Sequence, residues 1–408
     1  MKEKKIVILG CMDTKGEEYG FIRDNIKKAG CGTLLIDVGV IGPPGTPPDI
    51  SKYEVAQAAG EDLNSLIDEG PTRDRIAPIM TRGAKNIVLD LVKKGEVSGI
   101  ISCGGTQGTS LATEVMRALP IGFPKVMVST LASGDTFKFV GLRDIVMINS
   151  VADIMGLNRI SRMILANASA AVCCAARQAK DTQEDGKLLV GITTVGITTP
   201  GAMKAKEVLE DAGYETVVFH AVGTGGQAME KLIKEGEING ILDLATIEVV
   251  QEMLGGYLAA TPERMTVATA KGIPQVIAPG AVSVNTFGSP DTIPEKFRGR
   301  ATVRHSSLFT NVRVNKKEMQ ALAAEQAKRV GAGNGYTEWF VPMGGFCSYS
   351  TPDQPLYDPE SDKAFLEALK KKIHKDIPLF IRETDINSPE FVTEAAEHLI
   401  ALMEKKYG

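Results

Sequence analysis

Residues 104–109 (GGTQGT) form a glycine-rich loop that follows a hydrophobic run and precedes a helical pattern. Backbone amides at the start of a helix carry partial positive charge, so such a loop can bind phosphate or carboxylate groups. Thr106 and Thr109 add hydroxyl donors. The Walker pattern and the G-x-G-x-x-G pattern are both absent, which excludes a P-loop NTPase and a standard dinucleotide domain. Two interpretations stay open, an anion-binding loop and a strand-to-helix turn capped by Thr or Ser.

A charged loop, residues 13–16 (DTKG), follows the first hydrophobic run of the chain. Its carboxylate, hydroxyl and ammonium groups suit Mg²⁺ and phosphate oxygens, and Lys15 supplies a positive charge that the glycine-rich loop lacks. A capping box, in which Asp13 or Thr14 caps a helix and a following glutamate returns the hydrogen bond, is a compatible alternative.

Two more strand ends carry polar side chains. Asp37 ends the second predicted strand, a position from which an acidic side chain accepts ribose hydroxyls, and a surface-turn carboxylate is the alternative. Residues 129–135 (STLASGD) follow the strand after the glycine-rich loop. The carboxyl ends of parallel strands meet at one edge of a sheet, so these loops predict a ligand site there. The last loop contributes Ser133, Gly134 and Asp135, and the candidate Mg²⁺ ligands are Asp13 and Asp135.

The histidines offer a second kind of chemistry. The chain has four of them, without the spacing of a zinc site, so no dedicated zinc site is expected. His305 lies beside Arg304 in a serine-rich stretch, where a base next to a cation can transfer protons. An ordinary hydrogen-bonded surface histidine is the alternative. Cys103, just before the glycine-rich loop, is expected to be a buried apolar residue.

The elements that position these loops alternate between strand and helix. Residues 6–9, 17–28 and 33–38 read as strand, helix and strand, which is a βαβ unit. This pattern recurs in the second half, where residues 91–101 reappear as 232–242. The sequence therefore predicts two related Rossmann-like three-layer α/β domains with mainly parallel sheets, formed by internal duplication. We expect them at 1–183 and 184–408, joined by a polar linker at 181–186, with a ligand cleft between them.

Composition limits the classes of protein that remain. With 408 residues the chain is too long for one small module, and its net charge of −4 disfavours nucleic acid as a partner. No apolar run approaches the length of a membrane span. Six scattered cysteines and no secretory signal predict reduced thiols and a cytoplasmic location. The duplicated halves and the proline-rich residues 42–48 favour a homodimer or a higher homo-oligomer.

Seven motifs across the chain resemble an uncharacterised, mainly bacterial and fungal family. Its plant member forms the amino-terminal part of the tomato mosaic virus resistance protein. The motifs are DTKG at 13–16, IDVG at 36–39, PDIS at 48–51, GGTQGT at 104–109, LPIGFPK at 119–125, VSTLASGD at 128–135 and DIMGLN at 153–158.

The resemblance implies ATP binding in the first domain and a TIM-barrel partner that is fused in plants and separate in microbes. This sequence differs from the usual family pattern at Cys11, at Ser306 and Ser307, and at Asp385, where relatives more often have Thr, Asn-Pro and His, respectively. The matching positions are Asp13, Thr14, Lys15, Gly104, Gly105, Thr106, Gly108, Thr109, Ser133, Gly134 and Asp135.

Two functional hypotheses follow. The first is a cytoplasmic ATP-binding protein that holds the phosphates on residues 104–109 and Mg²⁺ with the help of Asp13 or Asp135. The second is an enzyme that uses ATP and Mg²⁺ to act on a small carboxylated or phosphorylated metabolite in the cleft. Lys15 and His305 would then carry protons or charge.

Overall fold

A computed structural model describes residues 4–68, 73–178 and 186–408. The chain divides into two compact units, Met1–Glu184 and Asp185–Gly408. The expected boundary near residue 184, and all but the last residue of the expected linker, lie outside the described residues.

The first unit is a five-stranded parallel sheet between two layers of helices. The elements are β1 (Lys5–Gly10), α1 (Gly16–Lys28), β2 (Gly32–Asp37), α2 (Lys52–Ala58), α3 (Leu63–Asp68), α4 (Arg73–Lys93), β3 (Val97–Gly104), α5 (Thr106–Arg117), β4 (Lys125–Ser129), α6 (Phe137–Val140), β5 (Val146–Asn149) and α7 (Arg159–Gln178). The strand order is β2-β1-β3-β4-β5, so the order reverses between β1 and β3. Helices α1 and α7 pack on one face, and α2, α4 and α5 pack on the other.

The second unit repeats this strand order and adds one strand. Its six-stranded sheet is parallel, in the order β14-β13-β9-β8-β6-β7, and reverses between β6 and β8. The main elements are β6 (Leu189–Thr194), α8 (Thr199–Asp211), β7 (Glu215–His220), α9 (Thr224–Glu235), β8 (Gly240–Asp243), α10 (Ile247–Leu254), α11 (Val267–Lys271), β9 (Gln275–Ile277), α12 (Lys316–Val330), β13 (Thr337–Pro342), α13 (Pro359–Lys372), β14 (Leu379–Arg382) and α14 (Pro389–Tyr407).

A small antiparallel sheet is inserted after β9 in the second unit. Its three strands, in the order β10-β12-β11, are β10 (Val284–Phe287), β11 (Thr302–Arg304) and β12 (Thr310–Arg313). The expected fold class, two α/β domains with mainly parallel sheets, is confirmed, and this insertion is the part that the sequence pattern did not reveal. Every helix in the described ranges is either too short or too polar to span a membrane.

Candidate functional site

The end of β2 is tied to the loop after β1 through Asp37. This carboxylate is buried, and its Oδ1 accepts hydrogen bonds from the backbone amides of Met12 at 3.0 Å and Gly39 at 2.8 Å. Burial raises the pKa of Asp37 above its ordinary value. The surface-turn interpretation is therefore wrong. Asp37 positions the two loops, and a bond from it to a ribose hydroxyl stays a prediction.

Asp13 faces the same pair of loops. Its Oδ2 accepts from the amides of Ile41 at 2.7 Å and Gly42 at 3.3 Å. Its Oδ1 is buried and has no hydrogen-bond partner among the described residues. An unpaired buried carboxylate oxygen is costly unless a donor or a cation reaches it. Asp13 Oδ1 is thus available to a donor or a cation.

The start of α1 differs from the expected capping box. Lys15 occupies the N-cap position, and no side chain caps this helix in the described part of the chain. Glu18 is buried and accepts from the Gly156 amide at 2.7 Å, while Thr14 is exposed. The Lys15 ammonium donates to the carbonyl of Ile154. Lys15 and Glu18 therefore join the start of α1 to the segment that follows β5.

The glycine-rich loop leaves the start of α5 open. Gly104 ends β3, and Gly105 is the N-cap in extended backbone geometry, with no side-chain hydrogen bond to the helix within the described residues. A Cβ on Gly104 would lie 3.2 Å from the Cα of Gly108, so this glycine is explained by tight packing against the first helical turn. The first amides of a helix have no acceptor within the helix. Thr106, at the first helical position, is exposed.

Thr109 is structural, which corrects the expectation that its hydroxyl donates to a ligand. It is fully buried, and its Oγ1 lies 2.7 Å from Ser129 Oγ and 3.3 Å from the Gly104 carbonyl oxygen. Ser129 Oγ also accepts from the Leu131 amide at 3.0 Å. These bonds hold the loops after β3 and β4 together.

The loop after β4 contributes a residue that the candidate set lacks. Ser133, Gly134 and Asp135 are exposed, and Asp135 Oδ1 accepts from the Phe137 amide at 3.0 Å, which starts α6. Thr130 lies nearer the glycine-rich loop, because its Oγ1 is 3.8 Å from the position of a Cβ on Gly105. The sequence feature that could have pointed to Thr130 is its position directly after β4.

Burial disfavours the thiolate form of both cysteines near these loops. Burial raises the pKa of Cys103 to about 12 and, with the nearby carboxylates, that of Cys11 to about 12. Both thiols therefore stay protonated at neutral pH. The expected packing role of Cys103 is confirmed by its burial.

The glycine-rich helix start of the second unit, at α9, already holds an anion. Oε1 of Glu248 accepts from the amides of Gly223 at 2.6 Å and Gly226 at 3.0 Å. A Cβ on Gly226 would lie only 1.9 Å from Oε2 of Glu248, so only glycine allows this approach. The helix start is thus closed by the protein's own carboxylate.

Glu248 also belongs to a buried ionic cluster at the end of β8. Arg264 donates to both oxygens of Asp243 at 2.7 Å and to Glu248 at 2.8 Å, and Glu230 lies 3.7 Å away. One cation faces three carboxylates, all of them buried. Burial raises the pKa of Glu230 to about 7 and also raises that of Glu248. The sequence pattern gave no sign of this cluster, because its members are far apart in the chain.

The structure places His305 on the wall of a cavity that a second histidine also lines. His305 and His220 both line a cavity of about 200 Å³ in the second unit. Lys15, the other residue proposed for proton or charge transfer, belongs to the first unit. Among the described residues, no group of three or more His, Cys, Asp or Glu side chains is placed to hold a metal ion.

Family models match both units. The model of the N-terminal domain of the uncharacterised protein family UPF0261 matches residues 4–181, and that of its C-terminal domain matches residues 187–403. The chain belongs to the UPF0261 family. The expected relationship to an uncharacterised family is therefore confirmed.

Relatives in the UPF0261 family match along nearly the whole chain. A UPF0261 protein of Clostridium tetani is 43% identical over 98% of this chain and 100% of its own length. One from Mesorhizobium japonicum is 35% identical over 97% of this chain and 98% of its own. The ToMV resistance protein Tm-1(GCR237) of Solanum lycopersicum is 33% identical over 98% of this chain, which spans 56% of that protein.

Proposed function

We propose that the first unit binds ATP or a related nucleotide, with the phosphates at the start of α5. The observation that carries this proposal is the contrast between two glycine-rich helix starts. The start of α5 has no side-chain cap in the described structure, whereas the start of α9 holds Glu248. A helix start that carries partial positive charge and has no anion of its own is suited to a phosphate.

The position of this helix start in the sheet supports the same proposal. The strand order of the first unit reverses between β1 and β3, and α5 follows β3. In open α/β sheets, ligands bind outside the carboxyl ends of the strands at such a reversal. The loop after β1, which carries Asp13 and Lys15, lies on the β1 side of this reversal, and α5 lies on the β3 side.

The residues at these strand ends have the chemistry for phosphates and for Mg²⁺. The first amides of α5 and the hydroxyls of Thr106 and Thr130 can donate to phosphate oxygens. Mg²⁺ commonly binds through one or two carboxylates together with phosphates and water, so a three-carboxylate cluster is unnecessary. Asp13, with its unpaired buried Oδ1, fits the role of the carboxylate ligand better than Asp135, whose Oδ1 accepts a hydrogen bond from the Phe137 amide. Bound Mg²⁺ would neutralise phosphate charge.

Calorimetric titration tests the proposal. ATP with magnesium should bind more tightly than ADP, and adenosine should bind weakest, because the phosphates supply the main contacts. Hydrogen exchange should then show slower exchange in the peptide that covers residues 104–110 when ATP is bound. The peptide that covers 223–230 is the internal control and should not change.

Two results would overturn the proposal. One is the absence of both binding heat and thermal stabilisation at millimolar ATP with magnesium. The other is equal affinity for adenosine and ATP, since that would show that the phosphates contribute nothing.

A further inference from the structure

A cavity in the second unit brings together two histidines that are far apart in the sequence. It lies where β6 and β7 end, has a volume of about 200 Å³, and is lined by both His220 and His305. His220 is the last residue of β7, and His305 follows β11 of the inserted antiparallel sheet. The insertion therefore supplies one side of a site at the carboxyl edge of the parallel sheet.

Contacts with two elements position the His305 ring. Its Nδ1 lies 3.2 Å from the hydroxyl oxygen of Tyr349. Its Cε1 lies 3.9 Å from where a Cβ on Gly196 would be, so the ring lies against the loop after β6. With Nδ1 facing Tyr349, Nε2 is the nitrogen left for a ligand.

Two buried polar side chains also line the cavity. Thr286 and Asn311 are only 4% and 5% exposed. The Thr286 hydroxyl donates to Asn311 Oδ1 at 2.8 Å, which leaves the Asn311 amino group to donate to a ligand. The Asn311 amide therefore provides a positioned hydrogen-bond donor on the wall that His220 and His305 also line.

The charge of the lining restricts the ligand. The described residues that line the cavity include no Asp, Glu, Lys or Arg, which disfavours both amines and polyphosphates. Arg304, next to His305, is outside the lining and donates to the Ser306 carbonyl at 3.3 Å. An amide donor and two imidazoles suit a single carboxylate, and the remaining wall suits a short carbon chain. Its apolar members are Val195, Ile197, Val222, Ile247, Leu258 and Phe309.

We propose that this cavity binds a small monocarboxylic acid, which accepts a hydrogen bond from Asn311 and contacts His220 and His305. All the residues of this site belong to the second unit. Because two imidazoles line the cavity, proton exchange with the ligand is the chemistry that the site offers.

Imidazole NMR signals of the full chain test this proposal. The chain has four histidines, so His→Gln variants assign each signal. Acetate, lactate and pyruvate at millimolar concentration are the probes. At least one of them should shift the signals of His220 and His305 in a saturable manner. The signals of His374 and His398, which do not line the cavity, should stay in place. Methylammonium should move neither cavity histidine.

Variants separate the cavity from general ion effects. Asn311→Leu should weaken the binding of the effective acid at least about tenfold, because one hydrogen bond to a charged group is lost. Val222→Phe, which fills the cavity from its apolar wall, should have the same effect and replaces the first variant if that one does not fold. His374→Gln is the control and should leave the affinity unchanged.

Two outcomes would overturn the proposal. One is that none of the three acids shifts His220 and His305. The other is that a folded Asn311→Leu or Val222→Phe variant binds the effective acid as tightly as the unmodified chain.

Discussion

The two units differ in whether a carboxylate of the same chain accepts hydrogen bonds from the amides at a glycine-rich helix start. In the second unit, Glu248 reaches the amides of Gly223 and Gly226, so the start of α9 is neutralised from within. In the first unit, the start of α5 has Gly105 at the N-cap and no side-chain cap in the described residues. A glycine-rich helix start is therefore not in itself evidence for a ligand. What distinguishes the two is whether a side chain of the same chain already supplies the anion.

The carboxylate at the start of α9 needs further buried charges around it, and the start of α5 does not. Glu248 requires Arg264 as a partner, and Arg264 in turn holds Asp243 near Glu230. Burying several charges together stabilises a fold only while every partner is present. The second unit should therefore depend strongly on a single arginine.

Replacement of that arginine should have the largest effect. Arg264→Met leaves the three buried carboxyl groups without a cation and should lower the free energy of unfolding by about 3–5 kcal/mol. Chemical denaturation should show an earlier transition of the second unit. Arg382→Met is the control, because the Arg382 and Glu394 side chains are about one-third exposed and their pair should contribute under about 1 kcal/mol. Equal losses in the two variants would contradict this account of the cluster.

A rise in pH should lower the stability of the folded chain almost as much. Glu230 holds its proton in the folded state up to a pKa of about 7, against an ordinary value of 4.5. The folded state therefore binds more protons than the unfolded state in this range, and stability should fall as the pH rises from 4.5 through about 7. The decrease should reach at most about 3 kcal/mol.

Glu230→Gln, which stays neutral at every pH, isolates this contribution. Melting temperatures measured across the range should decline less steeply in the variant. An unchanged slope would show that Glu230 does not retain its proton in the folded state.

A methyl group added to each helix start compares the two directly. In Gly226→Ala the new Cβ would lie 1.9 Å from Glu248 Oε2, so a loss of about 1–3 kcal/mol is expected. In Gly105→Ala the nearest atom is Thr130 Oγ1 at 3.8 Å, an ordinary contact, so stability should change by less than about 0.5 kcal/mol. Thermal unfolding measures both. A larger loss at Gly105 than at Gly226 would reverse the comparison.

The two threonines of the glycine-rich loop should separate stability from binding. Thr109→Val removes the buried hydrogen bond to Ser129 and should cost about 1 kcal/mol of stability with little change in ATP affinity. Thr106→Val should do the reverse, because Thr106 is exposed beside the proposed phosphate site. Denaturation and calorimetry on the same samples measure the two effects. If Thr109→Val weakened ATP binding and Thr106→Val did not, the phosphates would not bind beside Thr106.

The sequence predicted what depends on local pattern and missed what depends on distant contacts. The parallel strands, their polar ends and the repeat follow from hydrophobic periodicity and turn residues, and the fold class is confirmed. The antiparallel insertion was missed because its strands have only three or four residues each.

The candidate site shows the same division. The loops that carry Asp13, Asp37 and Gly105 do lie at strand ends of one sheet. The sequence could not show which groups already form hydrogen bonds within the protein, because the partner of Thr109 is 20 residues away and that of Gly226 is 22 residues away. His305 lines the same cavity as His220 because the insertion carries it there. Residue types and spacing indicated the candidate chemistry, and the tertiary contacts show which of the described side chains already form hydrogen bonds within the protein.

One measurement tests the central claim most directly, which is that the start of α5 binds the phosphates of a nucleotide. Gly105→Asp places a carboxylate where the second unit has Glu248, and Asp is a good N-cap residue in the extended backbone geometry of Gly105. Gly105→Asn has the same shape without the charge. We predict that calorimetry with ATP and magnesium will show at least about tenfold weaker binding for Gly105→Asp than for Gly105→Asn, with both variants as stable as the unmodified chain. Binding of equal strength in the two variants would contradict the claim.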